Sequence, residues 1–179
     1  MQPLAATVYL VTTLLQLYAT LLLLRVLLQV VKADYYNQIC QIIVQLSDPV
    51  IKPIRRLIPS IGQVDTAAVL LIFLIQTLVA WIQFFAAGIG VVFPSLLIFG
   101  LLRSIQLLLM TYLVLIVANF LLTLLGQQLR HPIIPLIYAM TEPLLGRIRR
   151  RLPPLAGIDF SMMVAIIGIM FLLILLGLR

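Results

Sequence analysis

Four long apolar runs are separated by short segments that carry most of the charged residues. The runs cover approximately Leu4 to Val31, Thr66 to Ala87, Pro94 to Leu125 and Phe160 to Leu178. Each run reaches the roughly 20 residues that an α-helix needs to cross about 30 Å of hydrocarbon, because each residue advances the helix by only about 1.5 Å. The sequence therefore predicts an all-α membrane protein with four transmembrane helices.

A water-soluble domain could not bury this much apolar surface. Hydrophobic residues make up 64% of the chain, compared with about 45–50% in an ordinary globular protein. Charged residues make up only 9% and the mean hydropathy is +1.23. The first run lacks a basic N-terminal region and a small-residue cleavage site, so we interpret it as a retained helix and not as a signal peptide.

An internal repeat divides the chain into two similar halves. Ser47–Asp65 and Thr141–Asp159 align without gaps, and aligned residues such as Pro49 and Pro143 are 94 positions apart. Six of the 19 aligned positions are identical and seven more keep their chemical type. A repeat of this length indicates a duplicated structural unit. We predict a first repeat over residues 1–87, a short outer turn over 88–94 and a second repeat over 95–179.

The distribution of basic residues predicts the orientation of the helices. The loops after the first and third helices hold nine basic residues, whereas the turn between the second and third helices holds none; the nine are Lys32, Lys52, Arg55, Arg56, Arg130, Arg147, Arg149, Arg150 and Arg151. Cytoplasmic loops are enriched in Lys and Arg. We therefore expect both basic loops in the cytoplasm, both termini outside, and the halves to be parallel repeats.

Each basic loop begins with a segment that we expect to lie on the membrane surface. In the first loop, Ile39, Ile42, Ile43 and Leu46 fall at i, i+3, i+4 and i+7, which is the pattern of an amphipathic helix. Its counterpart, His131 to Met140, is apolar on nearly all sides. We expect a short interfacial helix in both places.

The acidic and proline residues of the loops resemble helix starts. Ser47-Asp48-Pro49 and Thr141-Glu142-Pro143 each place a capping oxygen before a proline, which costs no hydrogen bond in the first turn of a helix. Asp65 and Asp159 precede the second and fourth apolar runs, where a carboxylate can cap the helix and pair with the arginines of its own loop. We predict that nine residues give the loops their structure: Asp48, Pro49, Pro53, Pro59, Asp65, Glu142, Pro143, Pro153 and Asp159.

These loop residues resemble the signature of the YggT family of small integral membrane proteins, in which an Asp-Pro, a second proline, an Arg-Arg pair, a third proline and a Gly-x-x-Asp follow one another. The first copy matches at Asp48, Pro49, Pro53, Arg55, Arg56, Pro59, Gly62 and Asp65, and the second at Pro143, Arg149, Arg150, Pro153, Gly157, Asp159 and Ser161. The second copy departs from the signature with Glu142, Arg147 and Pro154, which indicates that the two halves have specialised.

The resemblance extends over essentially the whole chain. It implies a multi-pass protein of the bacterial inner membrane, associated with tolerance of osmotic stress, with ion balance and with division-linked processes. Plastid relatives are associated with haem attachment during cytochrome assembly. In this chain His131 is the only histidine and Cys40 the only cysteine, so the sequence predicts no zinc or bis-histidine haem site, no intrachain disulfide and no resident cofactor.

The arginines of the two loops are the candidate binding residues, namely Arg55, Arg56, Arg147, Arg149, Arg150 and Arg151. The simplest interpretation is positive-inside topology together with anionic lipid phosphates, worth about 1 kcal/mol per basic residue near the surface. A second interpretation is docking of a membrane or cytoplasmic protein partner, since topology alone would not keep prolines and acids in register with the arginines. Nucleic-acid binding is disfavoured, because the loops lack interleaved aromatic residues.

Four polar residues inside the apolar runs are further candidates. We expect Arg25 to mark the cytoplasmic boundary and to extend its side chain to the headgroups, with its repeat partner Asn119 at the same level. Arg103, near Gln106, lies deeper from the outer face and has no acidic residue on that side, which makes it the best candidate for an unusual intramembrane site. The simpler interpretation is that its side chain extends to the headgroups of the outer leaflet.

The acidic residues distinguish between possible mechanisms. All five (Asp34, Asp48, Asp65, Glu142 and Asp159) lie in or beside the basic loops, whereas a proton-coupled carrier normally has a carboxylate near the middle of the membrane. The sequence also shows no nucleophile-base pair and no phosphate-binding glycine loop, so we expect no enzyme activity.

The leading hypothesis is a non-enzymatic protein that supports osmotic or ion homeostasis by organising membrane partners. The alternative is a homo-oligomeric ion channel or transport subunit.

Overall fold

The structure is a computed structural model, and it describes residues 2–56, 58, 64–125, 131–151 and 160–177. The described residues form six α-helices. In chain order these are α1 (Gln2–Val30), α2 (Gln38–Arg55), α3 (Thr66–Ala86), α4 (Phe93–Leu125), α5 (Ile133–Arg149) and α6 (Phe160–Leu175). The prediction of an all-helical protein is confirmed.

Three of the helices are long and apolar enough to cross a membrane. Their apolar stretches are Ala5–Val30 in α1, Thr66–Ala86 in α3 and Phe93–Leu124 in α4. The fourth apolar run forms α6, which has only 16 residues and is therefore about 24 Å long, shorter than the roughly 30 Å hydrocarbon layer. A fourth span stays a prediction.

Two apolar cores are built from equivalent positions of the repeat. Leu22, Ile51 and Ile75 belong to the first core, which joins α1, α2 and α3 and also receives residues from α4 and α5. Ile116, Leu145 and Ile169 belong to the second core, between α4, α5 and α6. Each of the second three residues is 94 positions after its counterpart among the first three. Three core positions of the first half thus have counterparts in the core of the second half.

The two halves meet where α3 and α4 form a tight helical hairpin. Gly88 has φ of 69°, a conformation that costs glycine nothing, and its N–H donates to the Phe85 carbonyl at 3.1 Å, which ends α3. Farther along the hairpin the Phe84 and Phe99 rings lie 4.9 Å apart. Gly100 allows a close approach, because a Cβ at this position would collide with the Thr77 side chain.

The interpretation of Ser47-Asp48-Pro49 and Thr141-Glu142-Pro143 as helix starts is wrong. Both segments lie inside helices, since α2 continues to Arg55 and α5 to Arg149. The Ser47 hydroxyl donates to the Ile43 carbonyl at 2.6 Å, as a helical serine does, and Thr141 does the same to Ile137 at 2.8 Å.

The prolines are tolerated in α2 because of the side on which they lie. Pro49 and Pro53 follow Gln45 at intervals of four residues, and all three are exposed. The carbonyls that lose their helical donors therefore lie on the exposed side of α2, where other polar groups can reach them. A proline inside a helix thus resembles a helix start in the sequence, although its position on the exposed side permits the helix to continue.

Candidate functional site

A buried cluster of charged side chains connects the first three helices. Arg25 of α1 is only 8% exposed. Its Nη1 donates to the Ser47 hydroxyl at 2.5 Å and lies 2.7 Å from the Asp48 carboxylate. Its Nε lies 3.8 Å from the Asp65 carboxylate. The prediction that Arg25 extends to the headgroups is wrong, because two carboxylates hold its side chain inside the protein.

Asp65 is the centre of this cluster. Its carboxylate is fully buried, caps α3 by accepting from the Ala68 N–H at 3.4 Å, and forms an ion pair with Arg55 of α2. One side chain thus joins the start of α3 to α1 and to the end of α2. In soluble proteins, removal of one charged partner from such a buried group lowers the free energy of unfolding by about 3–5 kcal/mol.

Asp48 receives a second cation from its own helix. The Lys52 ammonium lies 2.9 Å from the Asp48 carboxylate, one turn away on α2. Burial pushes the pKa of Asp48 up, but the hydrogen bonds and charges of Lys52 and Arg25 outweigh burial, so the pKa of this carboxyl is lower than usual. Asp48 therefore remains ionised well into the acidic range.

A small cavity of about 190 Å³ lies beside the cluster and is lined by Arg25, Arg55, Tyr35 and Cys40, among others. Burial, with a smaller contribution from the charge of Asp34, raises the pKa of the Cys40 thiol, so this side chain behaves as a neutral packing residue. In the part of the chain that the structure describes, no three His, Cys, Asp or Glu side chains converge as a metal site would require.

The described part of the corresponding cluster in the second half is neutral. Asn119 replaces Arg25, and its Nδ2 donates to the Thr141 hydroxyl at 2.6 Å, just as Arg25 donates to Ser47. Both Asn119 and Thr141 are buried, and no described residue forms a hydrogen bond with the Asn119 Oδ1.

The acid of the second half has moved outward. The Glu142 side chain is 62% exposed and its Oε2 lies 3.3 Å from Arg149, whereas the equivalent Asp48 is largely buried. Among the described residues, the half with asparagine at the position of Arg25 therefore has its Glu142 carboxylate at the surface. The predicted loop residues Pro59, Pro153 and Asp159 lie outside the described residues.

The basic ends of both loops lie at one end of the helix bundle. The Asn37 side chain, which caps α2, also donates to the Pro132 carbonyl at 2.6 Å, directly before α5. We use the term basic face for the cationic side chains on α2, on α5 and directly after these helices: Lys52, Arg55, Arg56, Arg147, Arg149, Arg150 and Arg151. Arg147, Arg150 and Arg151 line a groove of about 540 Å³ together with Ile148 and Val164.

The polar residues nearer the 87–92 turn form a separate group. Gln16 and Gln76 exchange amide hydrogen bonds of 3.3 and 2.9 Å between α1 and α3. Arg103 is half-buried and donates to the Gln83 side chain. Gln106 lines the same cavity as Arg103 and Gln16.

Sequence reasoning treated Arg25, Asp48 and Asp65 separately and did not bring them together. The repeat alignment contained a usable signal, because the half with an arginine in its first helix carries the shorter aspartate and the half with asparagine carries glutamate. An arginine and an acid that change together at repeat-related positions indicate a contact. The sequence indicates that Gln16 and Gln76 can form hydrogen bonds between helices. It does not pair them with each other, because neither residue has a polar counterpart in the other half.

Comparisons with known proteins agree with the repeated organisation. The model of the CCB3/YggT family matches the chain twice, over residues 4–86 and 98–178. A Vibrio alginolyticus protein is 38% identical over 175 residues, which cover 94% of this chain and 92% of that protein. The Escherichia coli K12 protein YggT is 34% identical over 160 residues, covering 89% and 82% of the two chains.

A Haemophilus influenzae protein is 35% identical over 169 residues, or 94% of this chain and 90% of that protein. All three relatives are described as uncharacterized. No solved structure shows significant similarity to the chain. Two matches to the family model and relatives of nearly full length lead to one conclusion: the chain belongs to the CCB3/YggT family.

Proposed function

We propose that this chain is a non-enzymatic, four-span protein of the bacterial inner membrane, in which two parallel repeats present the basic face to the cytoplasm. The first repeat covers residues 1–87 and the second 95–179, with the turn at 88–94 outside. The basic face docks anionic headgroups and an acidic partner protein. Through this docking the protein organises membrane partners that maintain osmotic and ion balance.

The observation that carries this proposal is the connection of both basic loops to the bundle. Asp65 and Arg55 join the end of α2 to the start of α3, and Asn37 joins α2 to the segment before α5. Cations on helices held in this way lose little conformational freedom when a partner binds, which favours specific docking over simple attraction to the membrane. The matching of core positions 94 residues apart supports two repeats.

Charge provides the attraction that docking requires. Each basic residue near an anionic surface contributes about 1 kcal/mol. Three of the seven cations of the basic face, Lys52, Arg55 and Arg149, pair with Asp48, Asp65 and Glu142, so the seven cations still outnumber these three acids. Such a face attracts a negatively charged partner from a distance and selects against a positively charged one.

Charge reversal on the basic face tests the proposal. In an Escherichia coli strain that lacks its YggT relative, we expect this chain to restore growth at raised osmolarity and the variant Arg150→Glu/Arg151→Glu to fail. The matched control Arg150→Lys/Arg151→Lys keeps the charge and should restore growth. All three must show equal amounts in the membrane and the same sidedness of a cysteine label at position 56 in a Cys40→Ala background. Equal growth with the charge-reversed variant would contradict docking through this face.

An ion channel formed by several copies is the second candidate. It is favoured by the polar side chains inside the apolar helices, especially the Gln16–Gln76 pair and the cavity at Arg103. Potassium and sodium flux through purified protein in liposomes tests this alternative directly. Flux that depends on the protein and changes in Arg103→Ala would select the channel, whereas no flux from folded, inserted protein would eliminate it.

A further inference from the structure

A cavity with one polar and one apolar part lies on α4, away from the basic face. Its volume is about 460 Å³. The polar part of the lining comes from Gln16, Arg103 and Gln106, and the apolar part includes Leu102, Leu107 and Leu176. A lining divided in this way fits an amphipathic molecule better than it fits water or a hydrocarbon chain alone.

The position of Arg103 places a positive charge near one surface of the membrane. Gly100 packs on Thr77 and Arg103 contacts Gln83, so this part of α4 lies beside the second half of α3. Gln83 is three residues from the end of α3 at Ala86, which is about 4.5 Å along the helix axis. Side chains lean toward the N-terminus of their helix, so Arg103 extends toward the 87–92 turn. Its guanidinium is therefore close to headgroup depth.

No carboxylate among the described residues neutralises the charge of Arg103. Its guanidinium donates to the neutral amide of Gln83, and none of the described residues that line the cavity is acidic. The described acids Asp48, Asp65 and Glu142 pair with other cations at the opposite end of the bundle. A half-buried guanidinium favours an oxyanion as its partner, which it can bind through two parallel N–H groups.

The short α6 leaves this cavity open on one side. α4 has 33 residues and α6 only 16, and the turn that ends α6 at Leu176 and Gly177 forms part of the cavity lining. Membrane lipid is the molecule present there at high concentration, and it combines an oxyanion with apolar chains.

We propose that this cavity binds one phospholipid, with its phosphate on Arg103 and one acyl chain along Leu102, Leu107 and Leu176. The amides of Gln16 and Gln106 lie along the same cavity and provide hydrogen bonds to the glycerol and ester groups. This site is separate from the basic face, and it neither requires nor excludes docking of a partner there.

Native mass spectrometry of the full chain in mild detergent tests the site. The probes are phosphatidylethanolamine, diacylglycerol with the same acyl chains, and inorganic phosphate. Phosphatidylethanolamine has no net charge, so it is attracted only weakly to the basic face. We compare wild type with Arg103→Gln, and with Arg150→Gln as the matched control that removes one cation from the basic face.

We expect wild type to bind phosphatidylethanolamine at least about tenfold more tightly than diacylglycerol. A factor of this size in affinity is what one charge-assisted hydrogen bond usually provides. Arg103→Gln should remove this preference and Arg150→Gln should retain it. Should Arg103→Gln not fold, Arg103→Lys keeps the charge without the two-donor geometry and should show a reduced preference.

Three results would overturn the proposal. The first is equal binding of phosphatidylethanolamine and diacylglycerol by wild type. The second is an unchanged preference in the Arg103 variants. The third is binding of inorganic phosphate at Arg103 without any Arg103-dependent binding of phospholipid, which would assign the site to a free anion. No competition by millimolar inorganic phosphate would support the lipid as the source of the oxyanion.

Discussion

Among the residues that the structure describes, the same place in the two repeats is ionic in the first half and neutral in the second. Arg25, Ser47 and Asp48 form a buried, charged group, whereas Asn119 and Thr141 form a single neutral hydrogen bond and Glu142 is exposed. The hydrogen bond from the first helix to the hydroxyl is present in both halves. The contact to the hydroxyl is therefore common to the two halves, whereas the buried ion pair with Arg25 belongs to the first half.

The ionic group and the neutral group also differ in how strongly a single substitution destabilises them. A buried ion pair gains little over a well-packed neutral group, because removing two charges from water offsets most of their attraction, but loss of one partner is costly. We therefore expect single substitutions of these charges to destabilise the first half, and we expect Glu142, the exposed acid of the second half, to tolerate substitution.

Asp65→Asn should produce the largest loss of stability. It leaves Arg25 and Arg55 without a buried carboxylate, and we expect a loss of about 3–5 kcal/mol, although the asparagine can still cap α3. Thermal unfolding in detergent measures the effect. The control Glu142→Gln removes the exposed acid of the other half and should change stability by less than about 0.5 kcal/mol. Equal effects of the two substitutions would remove the proposed difference between the halves.

Removal of both charges of the Arg25–Asp48 pair should cost less stability than the sum of the two single removals. Arg25→Asn alone leaves Asp48 with only Lys52 and deprives Asp65 of one partner, and we expect a loss of about 2–3 kcal/mol, somewhat less than the full cost of breaking a buried pair. Arg25→Asn combined with Asp48→Asn should lose less than the sum of the two single variants, with an interaction energy of at least about 1 kcal/mol. A double-mutant cycle by denaturant unfolding measures this value. Simple additivity would show that the 2.7 Å contact contributes little.

Thr141→Val tests the neutral half. It removes the hydroxyl that accepts from Asn119, and because the Asn119 Oδ1 is already without a partner, the buried amide would be left with no hydrogen bond from its side chain. We expect a loss of about 1–2 kcal/mol. The double variant Asn119→Leu/Thr141→Val should regain much of it, since both polar groups are then absent. A loss larger than that of Asp65→Asn would reverse the order of the two halves.

Acid should weaken the first half by protonating Asp48. The pKa of this carboxyl is lowered in the folded protein, so the unfolded chain takes up a proton first, at a pH of about 4. The contribution of Asp48 to the free energy of unfolding is complete above that pH. It decreases as the pH falls through the pKa of Asp48 in the folded protein. Unfolding between pH 7 and pH 3 should show a smaller acid-dependent loss for Asp48→Asn than for wild type. A variant that follows the wild-type pH profile would contradict an ionised Asp48 in the cluster.

Much of the helical framework could be predicted from the sequence. α1, α3 and α4 begin and end within about two residues of the apolar runs that predicted them, because a helix in lipid is defined by local composition. The ends of α2 and α5 could not be predicted in this way. Pro49, Pro53 and Pro143 resemble helix starts locally, and only the exposed position of the α2 prolines in the folded protein explains why that helix continues.

The candidate sites show the same limit. The arginines of the basic face are visible in the sequence as clusters, and Arg103 is conspicuous as a charge within an apolar run. Arg25 has the same appearance, yet its environment is the opposite, because Asp48 and Asp65 approach it from α2 and from the start of α3. Two arginines of similar local context thus differ in whether a carboxylate from another helix reaches them.

The sequence by itself determined the helical class, the spans of α1, α3 and α4, the 94-residue repeat and the family, since all of these depend on hydrophobicity and spacing along the chain. The tertiary structure decided which charges are buried and which are exposed. It joined Arg25 to Asp48 and Asp65, left Arg103 with a neutral amide, and turned Glu142 outward. The physical reason is that the free energy of a buried charge depends on partners a few ångströms away in space, and these partners are distant in the sequence.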